Sequence, residues 1–207
     1  MRHALRALVL AMVLPFASAV QAAPATYTID TNHSNVGFTV RHFFSKVPGN
    51  FTKFTGTIVY DPASPTTASV KADIDPSTID TRNEKRDGHL KSEDFFFVEK
   101  YPTLTFESTK VTAAGDGTLK VDGNLTMRGV TKPVTLDVTY LGAGETGNGV
   151  KAGFEAVTKI NRKDFGITWN RTLDQGGTML SDDVEIRLDI EANQQTEAKA
   201  EAPAAKK

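Results

Sequence analysis

TRNEKRDGHLKSEDFFFVEKYP, from Thr81 to Pro102, interrupts a β-type alternation that otherwise runs through the chain. It nearly lacks β-branched residues, crowds its charges between Arg82 and Lys91, and then sets Phe95, Phe96 and Phe97 side by side ahead of Tyr101 and Pro102. Asn83 is placed to cap a helix, Glu84, Lys85 and Arg86 favour one, Leu90 offers an apolar contact, and Gly88 weakens the run. The composition predicts one or two helical turns, with Pro102 pushing Tyr101 back into extended chain. Three adjacent large apolar side chains cannot share one face of a regular element, so the phenylalanines must wedge into different parts of a core. The segment reads as an irregular helical crossover carrying an aromatic plug.

Its flanks read as strands. Upstream, Tyr27 to Asp30 and then Val36, Phe38, Val40 and His42 alternate with Asn35, Gly37, Thr39 and Arg41, the period-two pattern of a half-buried strand. Phe43-Phe44 breaks that pattern, and Pro48-Gly49-Asn50 reads as a turn. Phe54, Ile58 and Tyr60 share one face of the next strand, and Val70, Ala72 and Ile74 one face of a third. Downstream, apolar positions alternate from Leu104, from Leu119 to Met127, from Val134 to Tyr140, from Phe154 to Ile160, and from Val184 to Ile190. Gly115-Asp116-Gly117 and Met127-Arg128-Gly129 suit hairpin turns, and Gly142 to Gly149 reads as a flexible loop. Glycines at 37, 56, 123 and 153 fall inside strand patterns, where bulges or barrel corners need them.

This spacing predicts an all-β fold, an antiparallel barrel of about eight strands, closed or nearly so, with a short helical crossover; a sandwich is the alternative. A barrel of that size either fills its interior with side chains or holds one small ligand, and that choice decides the function.

The N-terminus has the form of a secretory signal: Arg2 and Arg6, an apolar run from Ala7 to Val13, and small residues around Val20-Gln21-Ala22. The expected organisation is a signal peptide over residues 1–22, a single barrel domain over 23–192, and a polar, Ala/Glu/Lys-rich disordered tail over 193–207. The mature protein is expected to be exported, with the periplasm as its expected location. Losing Arg2 and Arg6 from the 24 basic residues leaves 22 against 25 acidic ones, a net charge of −3. That balance argues against nucleic acid as a partner, since phosphate binding needs clustered cations. The chain has no cysteine, which removes thiol nucleophiles, iron–sulfur clusters and thiolate zinc sites.

Catalytic patterns are missing as well. No G-x-S-x-G elbow, Walker loop or dinucleotide fingerprint occurs. Beyond the signal lie His33, His42 and His89; the first two are nine residues apart and so fall on opposite faces of a continuous strand. Neither a catalytic nor a metal-binding set emerges, and no cofactor is expected. What remains is an apolar surplus: twelve phenylalanines in the chain against the single Trp169.

Several segments together resemble the YceI-like polyisoprenoid-binding family in order and spacing. They are Asp30-Thr-Asn-His33-Ser34, Val36 to His42, Gly49-Asn-Phe-Thr-Lys-Phe-Thr-Gly56, Arg86-Asp87-Gly-His89-Leu90-Lys-Ser-Glu-Asp94-Phe95, Lys100-Tyr101-Pro102, Gly123-Asn-Leu-Thr-Met-Arg-Gly129-Val-Thr-Lys-Pro133 and Gly153-Phe154. The resemblance spans about Tyr27 to Ala192. It implies an exported, lipocalin-like antiparallel barrel that holds a long isoprenoid or similar amphiphile, such as a quinone, in an apolar tunnel, for carriage, storage or stress response.

On that basis the chain contacts are expected from Phe38, Val40, Phe54 and Ile58 of the first strands, with Phe95, Phe97, Phe106, Leu125 and Leu136. Arg82, Arg86 or Lys91 would pair with a headgroup phosphate at the mouth. Two other classes stay open: a structural envelope module with a filled core, and an enzyme acting on the lipid through His42, His89 or Asp87. Transient membrane contact, and a homodimer through an exposed edge or the aromatic mouth, are further expectations of this reading.

Overall fold

The computed structural model describes residues 24–115, 117–172 and 177–195. The signal-like segment over 1–22 and the tail beyond residue 195 lie outside the described residues. The strands are β1 (Ala25–Ile29), β2 (Asn35–His42), β3 (Ser45–Phe51), β4 (Phe54–Tyr60), β5 (Ser69–Ile74), β6 (Ile79–Asp80), β7 (Leu104–Gly115), β8 (Thr118–Met127), β9 (Val130–Thr146), β10 (Gly149–Asn161) and β11 (Leu180–Gln194), with the helix α1 (Glu84–Lys91) between β6 and β7.

Six of these strands are halves of three long ones. β1 and β2 both pair antiparallel with β11, β4 and β3 pair with them in turn, and β5 and β6 follow on β4 and β3. Counted so, eight staves form a closed antiparallel barrel, because β1 bonds to β4 on one side and to β11 on the other. The order then runs through β5, β7, β8, β9, β10 and back to β11.

Each break is bridged by side chains. Where the chain leaves the ladder over Asp30–Ser34, the Ser34 hydroxyl donates to Glu191 O and accepts from Glu191 N, both at 3.0 Å, standing in for a backbone partner. At the next break Thr52 N donates to Thr78 O and Lys53 N to the Thr78 hydroxyl. Asp75 closes the third, its carboxylate accepting from Ser77 N and the Ser77 hydroxyl. Backbone polar groups released by the bends are thus satisfied locally, as buried or half-buried chain requires.

The crossover follows the sequence closely. The Asn83 side chain caps α1 by accepting from Arg86 N, and the chain past Lys91 folds back in successive turns, with Phe96 N donating to Leu90 O and Phe97 N to Ser92 O. The three phenylalanines part company: Phe95 is buried beside Trp169, Phe96 packs edge-on to Phe51, and Phe97 turns to Tyr101.

Three local expectations need correcting. Pro48-Gly49-Asn50 is not a turn but the body of β3; the hairpin turns at Phe43-Phe44, and Gly49 is needed because the Phe38 ring lies across it, 2.4 Å from where a Cβ would stand. Pro48 is tolerated because β3 meets β6 only at Asn50 and Phe51, leaving its first half an edge. The Gly142–Gly149 stretch is strand through Thr146, paired to β10 across a two-residue turn, so its glycines bend a ladder rather than loosen a loop. Finally, β11 runs through Gln194, and Gln195 N donates to Thr26 O, so ordered strand extends past the expected boundary at Ala192.

Candidate functional site: an apolar bore with one polar rim

Inward positions of all eight staves face a cavity of about 630 Å3. Its wall includes Phe38, Val40, Phe54, Ile58, Phe106, Leu125 and Leu136, together with Val138, Ile186, Leu188 and Ile190. Leu136, Val138, Ile186 and Leu188 sit on inward faces yet remain half-exposed, which a filled core would not allow; their free surface is the wall of the bore.

Two glycines account for much of the space. The far end of the Phe38 ring from β2 rests over Gly49 of β3, and that of the Phe106 ring from β7 over Gly123 of β8, 2.3 Å from a hypothetical Cβ. Each ring therefore folds against the neighbouring stave instead of standing across the lumen. Any larger residue at either glycine would lever it inward.

At one end the barrel is shut by aromatic packing. Tyr60, Tyr140 and Phe154 have ring centroids 4.6 to 5.4 Å apart, and Tyr27 is buried in the same cluster. Burial raises the phenol pKa of all three tyrosines, so they stay neutral.

The other end is polar. His42 and Val47 of the β2–β3 hairpin, Asn83, Lys85, Arg86 and His89 of the crossover, and Trp169 with Leu180 line the bore there. His42, Asn83, Lys85 and Arg86 are exposed, so the cavity meets solvent along this rim.

Most polar groups near the rim are already engaged. Arg86 donates from Nε to the Thr81 hydroxyl and from Nη2 to Thr81 O, each at 2.7 Å, and Asp87 accepts from Thr81 N. His89 Nε2 lies 2.8 Å from Asp94, and its ring stands edge-on to Phe95 and Trp169. Buried Arg162 donates to Ser181 O, Ile167 O and Trp169 O and pairs with Asp182, pinning the return from β10 to β11. Burial lowers its pKa, with Asp182 opposing. Inside the bore, the Thr158 hydroxyl donates to Thr135 O.

Of the residues expected to contact a ligand, the wall includes Phe38, Val40, Phe54, Ile58, Phe95, Phe106, Leu125 and Leu136 but not Phe97, which meets Tyr101 edge-on with Arg128 and Lys100 above its ring. Of the expected headgroup cations only Arg86 reaches the wall; exposed Arg82 occupies a left-handed turn at φ 61°, and Lys91 at the end of α1 also lies off the wall. Lys85, His42 and His89 reach the rim and were not singled out as headgroup partners. Helical position decides which cation of α1 faces inward, and eight residues with almost no apolar stripe carry no such signal.

A second cluster lies on the outer wall at the first break. Ligand-type atoms of Asp30, His33 and Glu191 come within 4.8 Å of one another, a grouping the sequence hides because Glu191 arrives from the far end of the chain. The Lys151 ammonium already sits between the two carboxylates, bonded to both. The cluster ties β1, β10 and β11 together. The hydrogen bonds from His33 and then Lys151 hold the Asp30 carboxyl well below the usual carboxylate range.

A closed antiparallel barrel with a shut aromatic end, a wide apolar lumen and a single charged rim defines a hollow, lipocalin-like barrel. Residues 27–192 match the YceI-like domain, and the chain belongs to that family. A UPF0312 protein of Vibrio cholerae is 40% identical over 171 residues, covering 81% of this chain and 89% of its own. Among solved structures, BcnA of Burkholderia cenocepacia matches with a TM-score of 0.72 at 26% identity, covering 80% of this chain and 99% of its own. A domain of Saccharophagus degradans, described as polyisoprenoid binding, shares the fold at TM-score 0.60 and 15% identity, over 83% of this chain and 99% of its own.

Proposed function

We propose that the chain is an exported, non-catalytic carrier or store for one long isoprenoid or similar single-tailed amphiphile, held tail-first with its head at the rim. The observation that carries this is the continuous apolar bore of about 630 Å3, within the range of about 300–1,000 Å3 usual for small-molecule sites. Orientation follows from the walls: aromatic carbon at the shut end, Lys85, Arg86 and His42 at the open one. Lys85, free of the bonds that hold Arg86, is the cation best placed for an anionic head. The name given to the Saccharophagus domain supports the same ligand class.

Burial of each five-carbon unit is worth at most ~4 kcal/mol at ~0.8 per carbon. Ordering a flexible chain offsets much of that, so the complex should be tight yet exchangeable. A bore selects by width and length, hence by class of chain more than by identity. The dispersal of Asp87 and His89 into bonds with Thr81 and Asp94 favours a container over an enzyme.

Native mass spectrometry of protein purified without detergent, followed by organic extraction, tests the reading. The expected result is one isoprenoid adduct per chain. A protein that is empty, and stays empty after incubation with quinones and polyprenyl phosphates, would overturn it.

A further inference from the structure

The tip of the β2–β3 hairpin has no structural explanation. Phe44 is 83% exposed and Phe43 47%, with ring centroids 4.0 Å apart, so the two form one aromatic knob in solvent. They occupy a two-residue turn closed by the His42–Ser45 pair. Phe43 sits there at φ 55°, in the left-handed region that two-residue hairpin turns require and that Gly or Asn fills with least strain. A bulky aromatic residue is among the worst choices for that backbone, and its neighbour buries nothing. Stability alone does not select this pair.

Placement and charge point to what does. His42, immediately before the tip, and Val47, three residues beyond it, line the open end of the bore. Phe43 N donates to Met179 O, and Met179 N donates to Arg171 O, so a second backbone segment braces the tip, while Arg41 Nη1 lies 3.5 Å from Phe44 O. Arg41 and Lys46 flank it in sequence, Lys46 paired with Glu185 on the outer wall. An aromatic pair flanked by long cationic side chains suits the boundary between lipid headgroups and acyl chains. Among the described residues the other exposed large apolar ones, Leu141 on β9 and Val157 on β10, stand singly on the barrel wall, away from the open end; single exposures of that kind are ordinary surface.

We propose that Phe43 and Phe44 form a wedge that seats the rim of the barrel on an anionic lipid bilayer, placing the open end of the bore against the membrane for ligand transfer. The transfer half of this rests on the carrier reading; the docking half does not. The chain's overall charge is negative, so a generally attractive surface is not available and the local tip sets the orientation.

The absence of cysteine allows a site-specific test. The full chain carrying Ser45→Cys, labelled with an environment-sensitive fluorophore, is mixed with vesicles of phosphatidylglycerol and phosphatidylethanolamine; Leu141→Cys is labelled in parallel. The expected result is a blue shift, and quenching by acyl-chain spin labels, at position 45 only. It should weaken about tenfold or more in lipid titrations when Phe43→Ser and Phe44→Ser are added, and should be much reduced on pure phosphatidylcholine. No shift at 45, equal shifts at 45 and 141, or a shift that survives removal of both phenylalanines overturns the proposal. So does a shift that appears without lipid as concentration rises and follows dimer formation in sedimentation, which would assign the knob to a second copy. The carrier reading fails separately: a docking-competent protein that never takes up isoprenoid sinks that reading and leaves the wedge standing.

Discussion

The residues that matter most to the shape of the barrel are those that let it bend. Asp30 is one: its carboxylate receives His33 and Lys151 at the first break, and both bonds favour the charged form. A carboxyl whose folded-state pKa lies below its unfolded value of about 3.9 contributes stability at all pH above that value and loses it as pH falls toward the folded one. Asp30→Asn should therefore lower Tm at pH 7, and the difference from the parent should shrink below about pH 4. A Tm difference that stays constant from pH 7 to pH 2 would show that the carboxylate's charge is not what counts. Arg162 is another such residue. Replacing it with Met leaves three carbonyls of the β10–β11 return without their donor and should cost about 3 kcal/mol in urea unfolding. Neither role was legible in the sequence, because Lys151, Glu191 and Ser181 come to these sites from distant strands.

Among the elements, the crossover was the most legible and the reason is local. Its cap, its short helix and its return at Pro102 all depend on neighbours in the chain, so propensity and capping rules suffice. Asn83→Ala should cost about 1 kcal/mol and raise amide exchange within α1 first, leaving the β8–β9 amides unchanged; uniform loss of protection would mean that the helix does not open by itself. The anchoring of that crossover was not legible. Arg128, in the β8–β9 turn, donates to Glu93 O and Phe95 O, and Gly129 beside it leaves room for the Tyr101 ring. The Met-Arg-Gly motif thus acts as a clasp on a segment some thirty residues earlier. Face parity, which placed Phe38, Val40 and Leu136 on the wall, has no meaning in the folded-back turns after α1. Nothing in three consecutive phenylalanines distinguished Phe95, at the bore, from Phe97, on Tyr101.

At the level of the whole molecule, alternation plus turn spacing narrowed the fold to an antiparallel barrel or a sandwich, and said nothing of a barrel's contents. A filled and a hollow barrel share the same period-two pattern, and the difference lies in how rings from one stave meet glycines of the next. Leu136→Trp tests the hollow interior directly. In a filled core it would overpack and cost about 1–3 kcal/mol; in this bore the ring should be accommodated with unfolding free energy unchanged or slightly higher, while the stoichiometry of extracted lipid falls well below one per chain. A destabilised variant that still binds a full complement would contradict the cavity as described.

The pairing of Phe38 with Gly49 and of Phe106 with Gly123 has a consequence for how such barrels diverge. A methyl group added at either glycine would displace a whole phenyl ring toward the axis, so one carbon on a residue that never meets the cargo resets the calibre of the channel. The gauge of the tunnel is therefore adjustable from behind its own wall, and two chains with identical lumen-facing residues could admit tails of different thickness.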